Sequence, residues 1–114
     1  MIAVIFEVNP KAAHKQEYLD IAAELKSELV KMDGFISIER FTSLQDSTKI
    51  LSLSFWKDEE SVSQWRNLEN HRQAQRKGRA MIFEDYRLRV TGVIRDYGMN
   101  SRVEAPNDSR QTHD

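Results

Sequence analysis

Ile2-Ala3-Val4-Ile5-Phe6-Glu7-Val8, followed at once by Asn9-Pro10, is the stretch on which the fold turns. Ile2, Val4, Phe6 and Val8 alternate onto one face of a strand, and Ala3, Ile5 and Glu7 onto the other. Both faces are largely apolar, which predicts a central strand covered on both sides. Asn9 fits a helix cap, and Pro10 fits the first helical position, where its missing N–H costs nothing. The helix is expected to run to about Met32, because Tyr18, Ile21, Ala22, Leu25, Leu29 and Met32 recur at helical spacing. Gly34 stands where a helix often ends in a left-handed residue.

Downstream, residues 35–41 and 49–56 read as two strands joined by a polar hairpin loop at 43–48. In the first, Phe35, Ser37, Glu39 and Phe41 share one face, and Ile36, Ile38 and Arg40 the other. In the second, Leu51, Leu53 and Phe55 lie opposite Ile50, Ser52, Ser54 and Trp56. Asp58 reads as the cap of a short helix carrying Val62 and Trp65. Asn70-His71-Arg72-Gln73 reads as a capping box that opens a second helix to about Phe83. Residues 86–97 form the last expected strand, with Leu88, Val90, Gly92 and Ile94 on one face. Residues 98–114 have little hydrophobicity and no period, and are expected to be a flexible tail after a domain at 1–97.

Strand, long helix, strand, strand, broken helix, strand is the α+β split βαβ order. It predicts a ferredoxin-like antiparallel sheet with both helices on one face. The other face also carries apolar residues. A second copy related by a two-fold axis is the simplest cover, so a homodimer is expected.

Composition fits this frame. The chain has 114 residues, 39% hydrophobic and 31% charged, as in one globular domain. A net charge of -1 leaves no overall attraction to nucleic acid or an acidic membrane. The basic run Arg66, Arg72, Arg76, Lys77 and Arg79 reads first as a solvated helix face. Without cysteine there is no disulfide, thiolate metal site or cysteine nucleophile. His14, His71 and His113 are too far apart for a ligand pair, so no metal site is expected. The first apolar stretch is too short for a signal peptide and no run reaches a membrane span, so a cytoplasmic location is expected.

Inside this order stand Phe55-Trp56-Lys57-Asp58-Glu59-Glu60, then Gln64-Trp65-Arg66, then Glu69-Asn70-His71-Arg72, then the strand at 86–97. Together they resemble the antibiotic biosynthesis monooxygenase family over roughly residues 1–97. The resemblance implies a dimeric α+β barrel with a pocket between sheet and helices in each subunit. It implies oxidation of a small aromatic phenol, anthrone or quinol by molecular oxygen, with no metal or flavin cofactor. A haem-degrading branch is the alternative it implies, and a non-catalytic ligand-binding dimer is a third.

By that resemblance Trp65 matches the family's helix tryptophan. Ser61 stands where the oxygenases have an asparagine and His71 where they have a tyrosine, while Arg87 is the counterpart of an arginine on the last strand. The haem branch has an asparagine on the first strand and a histidine ligand ten residues past the tryptophan. Those positions offer Glu7, with Asn9 only at the strand's end, and Gln75, a poor iron ligand. Read as chemistry, His71 can take a phenolic proton near neutral pH, or simply make local hydrogen bonds in a helix. Trp65 can wall a pocket or fill a core. Ser61 and Asn70 can bond a substrate oxygen, or Asn70 can serve as a cap. Phe6 and Phe83 line either a pocket or the core.

Overall fold

The computed structural model describes residues 1–74 and 82–113, with side chains described for 1–69 and 82–112. Its elements are β1 (Ile2–Pro10), a 3-10 turn (Ala12–His14), α1 (Lys15–Leu29), β2 (Phe35–Thr42), β3 (Ile50–Trp56), α2 (Glu59–Ala74), β4 (Phe83–Gly92) and α3 (Asn107–His113). The four strands form one antiparallel sheet in the order β2-β3-β1-β4. The two-sided strand β1 is indeed interior, and the α+β class stands as expected from the sequence. Among the described residues no helix is long and apolar enough to cross a membrane.

Register divides the side chains into two faces. Four rows cross the helix-facing side: Phe35–Trp56–Ile2–Gly92, Ile38–Ser54–Val4–Val90, Arg40–Ser52–Phe6–Leu88 and Thr42–Ile50–Val8–Tyr86. The rows at the two ends anchor two core clusters. Leu29, Trp56 and Val62 are buried at one end, with Phe35 and Trp65 packed on them. Val8, Tyr18, Ile50 and Ile82 are buried at the other, with Phe6 and Phe83 against them. Each large side chain so buried contributes about 1.5–3 kcal/mol.

Phe35 reaches the first cluster by a bulge. Phe35 pairs with Trp56 and Ser37 with Phe55, so β2 spends one extra residue there. The slip reverses the alternation, moving Phe35 to the helix side, where its ring meets Trp56 edge-on at 5.3 Å. Strict alternation had placed Phe35 with Ser37, Glu39 and Phe41.

Other boundaries also depart from expectation. Pro10 ends β1 instead of opening the helix, at an irregularity in the β1–β4 ladder where a missing N–H is tolerated. The Asn9 amide donates to Thr48 Oγ1 at 3.1 Å, tying β1 to the β2–β3 loop. The helix α2 runs unbroken through Asn70 to Ala74, so there is no capping box. An interior asparagine costs a helix only about 0.7 kcal/mol, too little to stop one held by packing. β4 begins at Phe83 and ends at Gly92 because it pairs along the whole of β1, from Pro10 back to Ile2.

The second sheet face carries Ile5, Leu53 and Phe55 around an ion pair of Glu7 with Arg89 at 3.3 Å, and Lys49 lies 4.0 Å from the same carboxylate. Beyond β4, residues 93–113 hold bonds among themselves. Glu104 accepts from the Asp96 N–H at 2.9 Å, and Arg102 donates to Ser109 at 2.8 Å.

Candidate functional site

A cavity of about 260 Å³ lies between the helices and the sheet, between the two core clusters. Its origin is in the side chains of β3. On the helix-facing side that strand reads Ile50, Ser52, Ser54, Trp56: large, small, small, large. The two serines are too short to reach α1 and α2, so a hollow remains over the middle rows. Ser54 Oγ accepts the Trp56 indole N–H at 2.9 Å, which satisfies a buried donor and holds the ring at the cavity's end.

The helices close the roof with Tyr18, Ile21, Ala22, Leu25 and Leu29 from α1, and Val62, Trp65, Arg66 and Glu69 from α2. The α2 residues recur at the three- and four-residue spacing of one helix face. Aromatic rings stand at both ends. Trp65 lies 6.5 Å from Trp56 between ring centres. Phe83 meets Phe6 at 6.0 Å and Tyr18 at 5.6 Å, both edge-on. Along the edge strand, Tyr86, Leu88 and Val90 also line the cavity while 43%, 48% and 41% exposed, so the hollow reaches solvent there.

The polar groups among the described residues of the wall are few. Arg40 projects from β2 beside Tyr18, and its Nε is buried with no hydrogen-bond partner among the described residues. Burial raises the Tyr18 phenol above its ordinary range; the charge of Arg40 and a hydrogen bond from it pull the other way, and Glu69 adds to the rise. Tyr18 is therefore neutral near pH 7. Among the described residues no group of three histidine, cysteine, aspartate or glutamate side chains could hold a metal ion.

The sequence-expected residues separate in space. Trp65, Phe6 and Phe83 come together on the cavity wall. Ser61 does not line it. Its N–H and hydroxyl both donate to Asp58 Oδ1, at 2.9 and 2.8 Å, so Asp58 caps α2. Those two bonds, the backbone one first, hold the Asp58 carboxyl below its ordinary range. Arg87 is exposed and pairs in register with Glu7, on the face away from the helices. Asn70 and His71 are in α2, but their side chains lie outside the described residues, as does Gln75 altogether.

Arg40, Tyr18, Ser52, Ser54 and Glu69 were not expected at the site from the sequence, yet alternation marks the strand residues among them. Arg40 stands in phase with Ile38, and the serines in phase with Ile50 and Trp56. A polar residue in phase with core residues is the sign of a polar spot on a buried face.

Comparison with known proteins agrees with this architecture. The profile of the antibiotic biosynthesis monooxygenase family matches residues 1–77. A Pyricularia oryzae protein named Jasmonate monooxygenase ABM is 46% identical over 116 residues, covering 100% of this chain and 54% of its own length. The chain thus spans about half of that relative. Among solved structures, Rv0793 of Mycobacterium tuberculosis superposes with a TM-score of 0.71 at 12% identity, over 85% of this chain and 98% of its own. The heme-degrader MhuD of the same organism reaches 0.67 at 15%, over 86% and 100%. At those identities the two structures speak for the fold alone.

Proposed function

Because the chain belongs to the antibiotic biosynthesis monooxygenase family, we propose that it oxidises a small, largely apolar molecule with molecular oxygen in the cavity beneath α1 and α2. The observation that carries the reading is the cavity itself: about 260 Å³, walled by Trp65, Phe6 and Phe83, with few polar groups among the described residues. That volume falls just below the usual range for small-molecule pockets, roughly 300–1,000 Å³. It suits a substrate of one to three rings.

The protein's part is to hold the substrate, exclude water and receive a proton. Glu69 is on the wall, and His71 is the base suggested by the sequence. An anthrone-type methylene then supplies the electrons itself. The CH2 group and O2 give C=O and water, with one oxygen atom kept on carbon and the other leaving in water. A plain hydroxylation of C–H to C–OH, as a jasmonate-like substrate would require, needs two electrons and two protons more from a reductant.

The test is 18O2 incorporation by folded, purified protein, with and without NADPH. The panel holds an anthrone, a quinol, simple phenols and jasmonate. One labelled oxygen atom in a product is expected for at least one compound. No label across the panel under either condition would overturn the reading.

The second sheet face supports self-association as part of the same proposal. Ile5, Leu53 and Phe55 form an apolar centre beside the Glu7–Arg89 pair. A second copy placed by a two-fold axis would bury both. Light scattering at micromolar protein is expected to give twice the chain mass, and Leu53→Glu to halve it. A monomer mass for the unaltered chain would refute the dimer.

A further inference from the structure

Arg40 is a cation in an apolar setting. It stands on the helix-facing side of β2, in the row with Ser52, Phe6 and Leu88, and lines the cavity. Arg40 is partly buried, and its Nε fully so. A charge withdrawn from water is costly unless an opposite charge or a full set of hydrogen bonds meets it. Arg40 has such partners only in part. Its neighbour Tyr18 offers a neutral hydroxyl, and its Nε has no partner among the described residues. Glu69 is the one described acid on the wall and Arg66 is a second cation there, so described cations outnumber described anions by one.

From this we infer that Arg40 anchors a carboxylate, and that the cavity selects a small organic acid with an apolar body over a neutral molecule of the same shape. The inference rests on the monooxygenase reading for the identity of the site. It adds the substrate's charge and the residue that reads it. A guanidinium presents its donors in a planar fork that matches the two oxygens of a carboxylate. Trp65, Phe83 and Val4 give the described wall an apolar stretch, where the body of the acid loses its water. Two short serines beside Arg40 leave room for the head group.

The test uses matched pairs that differ only in charge: jasmonate with its methyl ester, and octanoate with its methyl ester. Equilibrium dialysis with the full chain near pH 7 is expected to show each acid bound about tenfold to a hundredfold more tightly than its ester. Arg40→Met is expected to bring acid and ester within about threefold, and Arg40→Lys to keep only part of the preference. Equal binding of acid and ester by the unaltered chain overturns the inference, as does binding of neither. A preference that survives in folded Arg40→Met also overturns it. The acid–ester comparison on the unaltered chain stands even where Arg40→Met does not fold. Acid-selective binding without 18O incorporation would sink the monooxygenase reading and leave Arg40 as an acid anchor. Equal oxidation of acid and ester would do the reverse.

Discussion

Gly34→Ala is expected to destabilise the domain by about 2–5 kcal/mol, from left-handed backbone cost and overpacking together. That is a large part of a typical domain's 5–15 kcal/mol, roughly stated. Gly34 has φ +82°, the only positive φ among the described residues. A Cβ there would sit 1.9 Å from Ser61 Oγ and 2.7 Å from Ser61 Cβ. Ser61 is not free to turn aside, because its hydroxyl and N–H are both bonded to Asp58 at the start of α2. The Gly34 carbonyl also accepts the Lys57 N–H at 2.7 Å. The turn from α1 into β2 is therefore pressed against the turn from β3 into α2.

A double-mutant cycle separates the two causes. In a Ser61→Gly background the steric part disappears, and Gly34→Ala should cost only the backbone part, about 1–2 kcal/mol. Urea unfolding followed by circular dichroism measures each step. Equal costs in both backgrounds would mean that Ser61 is not the obstacle. An overall loss below about 0.5 kcal/mol, the scale of ordinary surface changes, would refute the close approach altogether.

The same joint shows what sequence reasoning can and cannot resolve. Alternation grouped Val4 with Phe6 in β1 and Ser52 with Ser54 in β3, and the register puts both groups on one face, because a period of two survives wherever strands pair regularly. It failed at Phe35, where one extra residue in β2 reverses the faces. A bulge depends on the partner strand and leaves little trace in local spacing. Asn9-Pro10 failed for a related reason. Cap and proline preferences amount to about a kcal/mol, less than the ladder that β1 forms with strands far along the chain. For the site, the aromatic residues Phe6, Trp65 and Phe83 stood out, since large rings at periodic positions mark a buried face. The hollow itself did not. It arises from what Ser52 and Ser54 lack, and a short side chain is visible as a gap only when the opposing helix is in place.

Filling the gap should separate stability from function in opposite directions. Ser54→Ala removes the acceptor of the buried Trp56 N–H and is expected to cost about 1–3 kcal/mol. Ser54→Leu removes the same acceptor but adds three carbons over alanine, in a row already lined by Val4, Ile38 and Val90. At about 0.8 kcal/mol per buried CH2, the leucine variant should be more stable than the alanine variant by about 2 kcal/mol, provided that the hollow admits it. The room so occupied is taken from a cavity of only about 260 Å³. A substrate displaced by an ångström or more from its working position loses about a hundredfold in rate. Ser54→Leu should therefore lose at least that much 18O incorporation relative to Ser54→Ala, while melting at a higher temperature. Octanoate binding should fall alongside, which keeps the test independent of the reaction. A leucine variant as active as the alanine variant would place the chemistry elsewhere. One that melts lower would mean that the middle rows are already filled. Only an open hollow under α1 and α2 predicts both signs at once, because the same atoms that complete the core then displace the substrate.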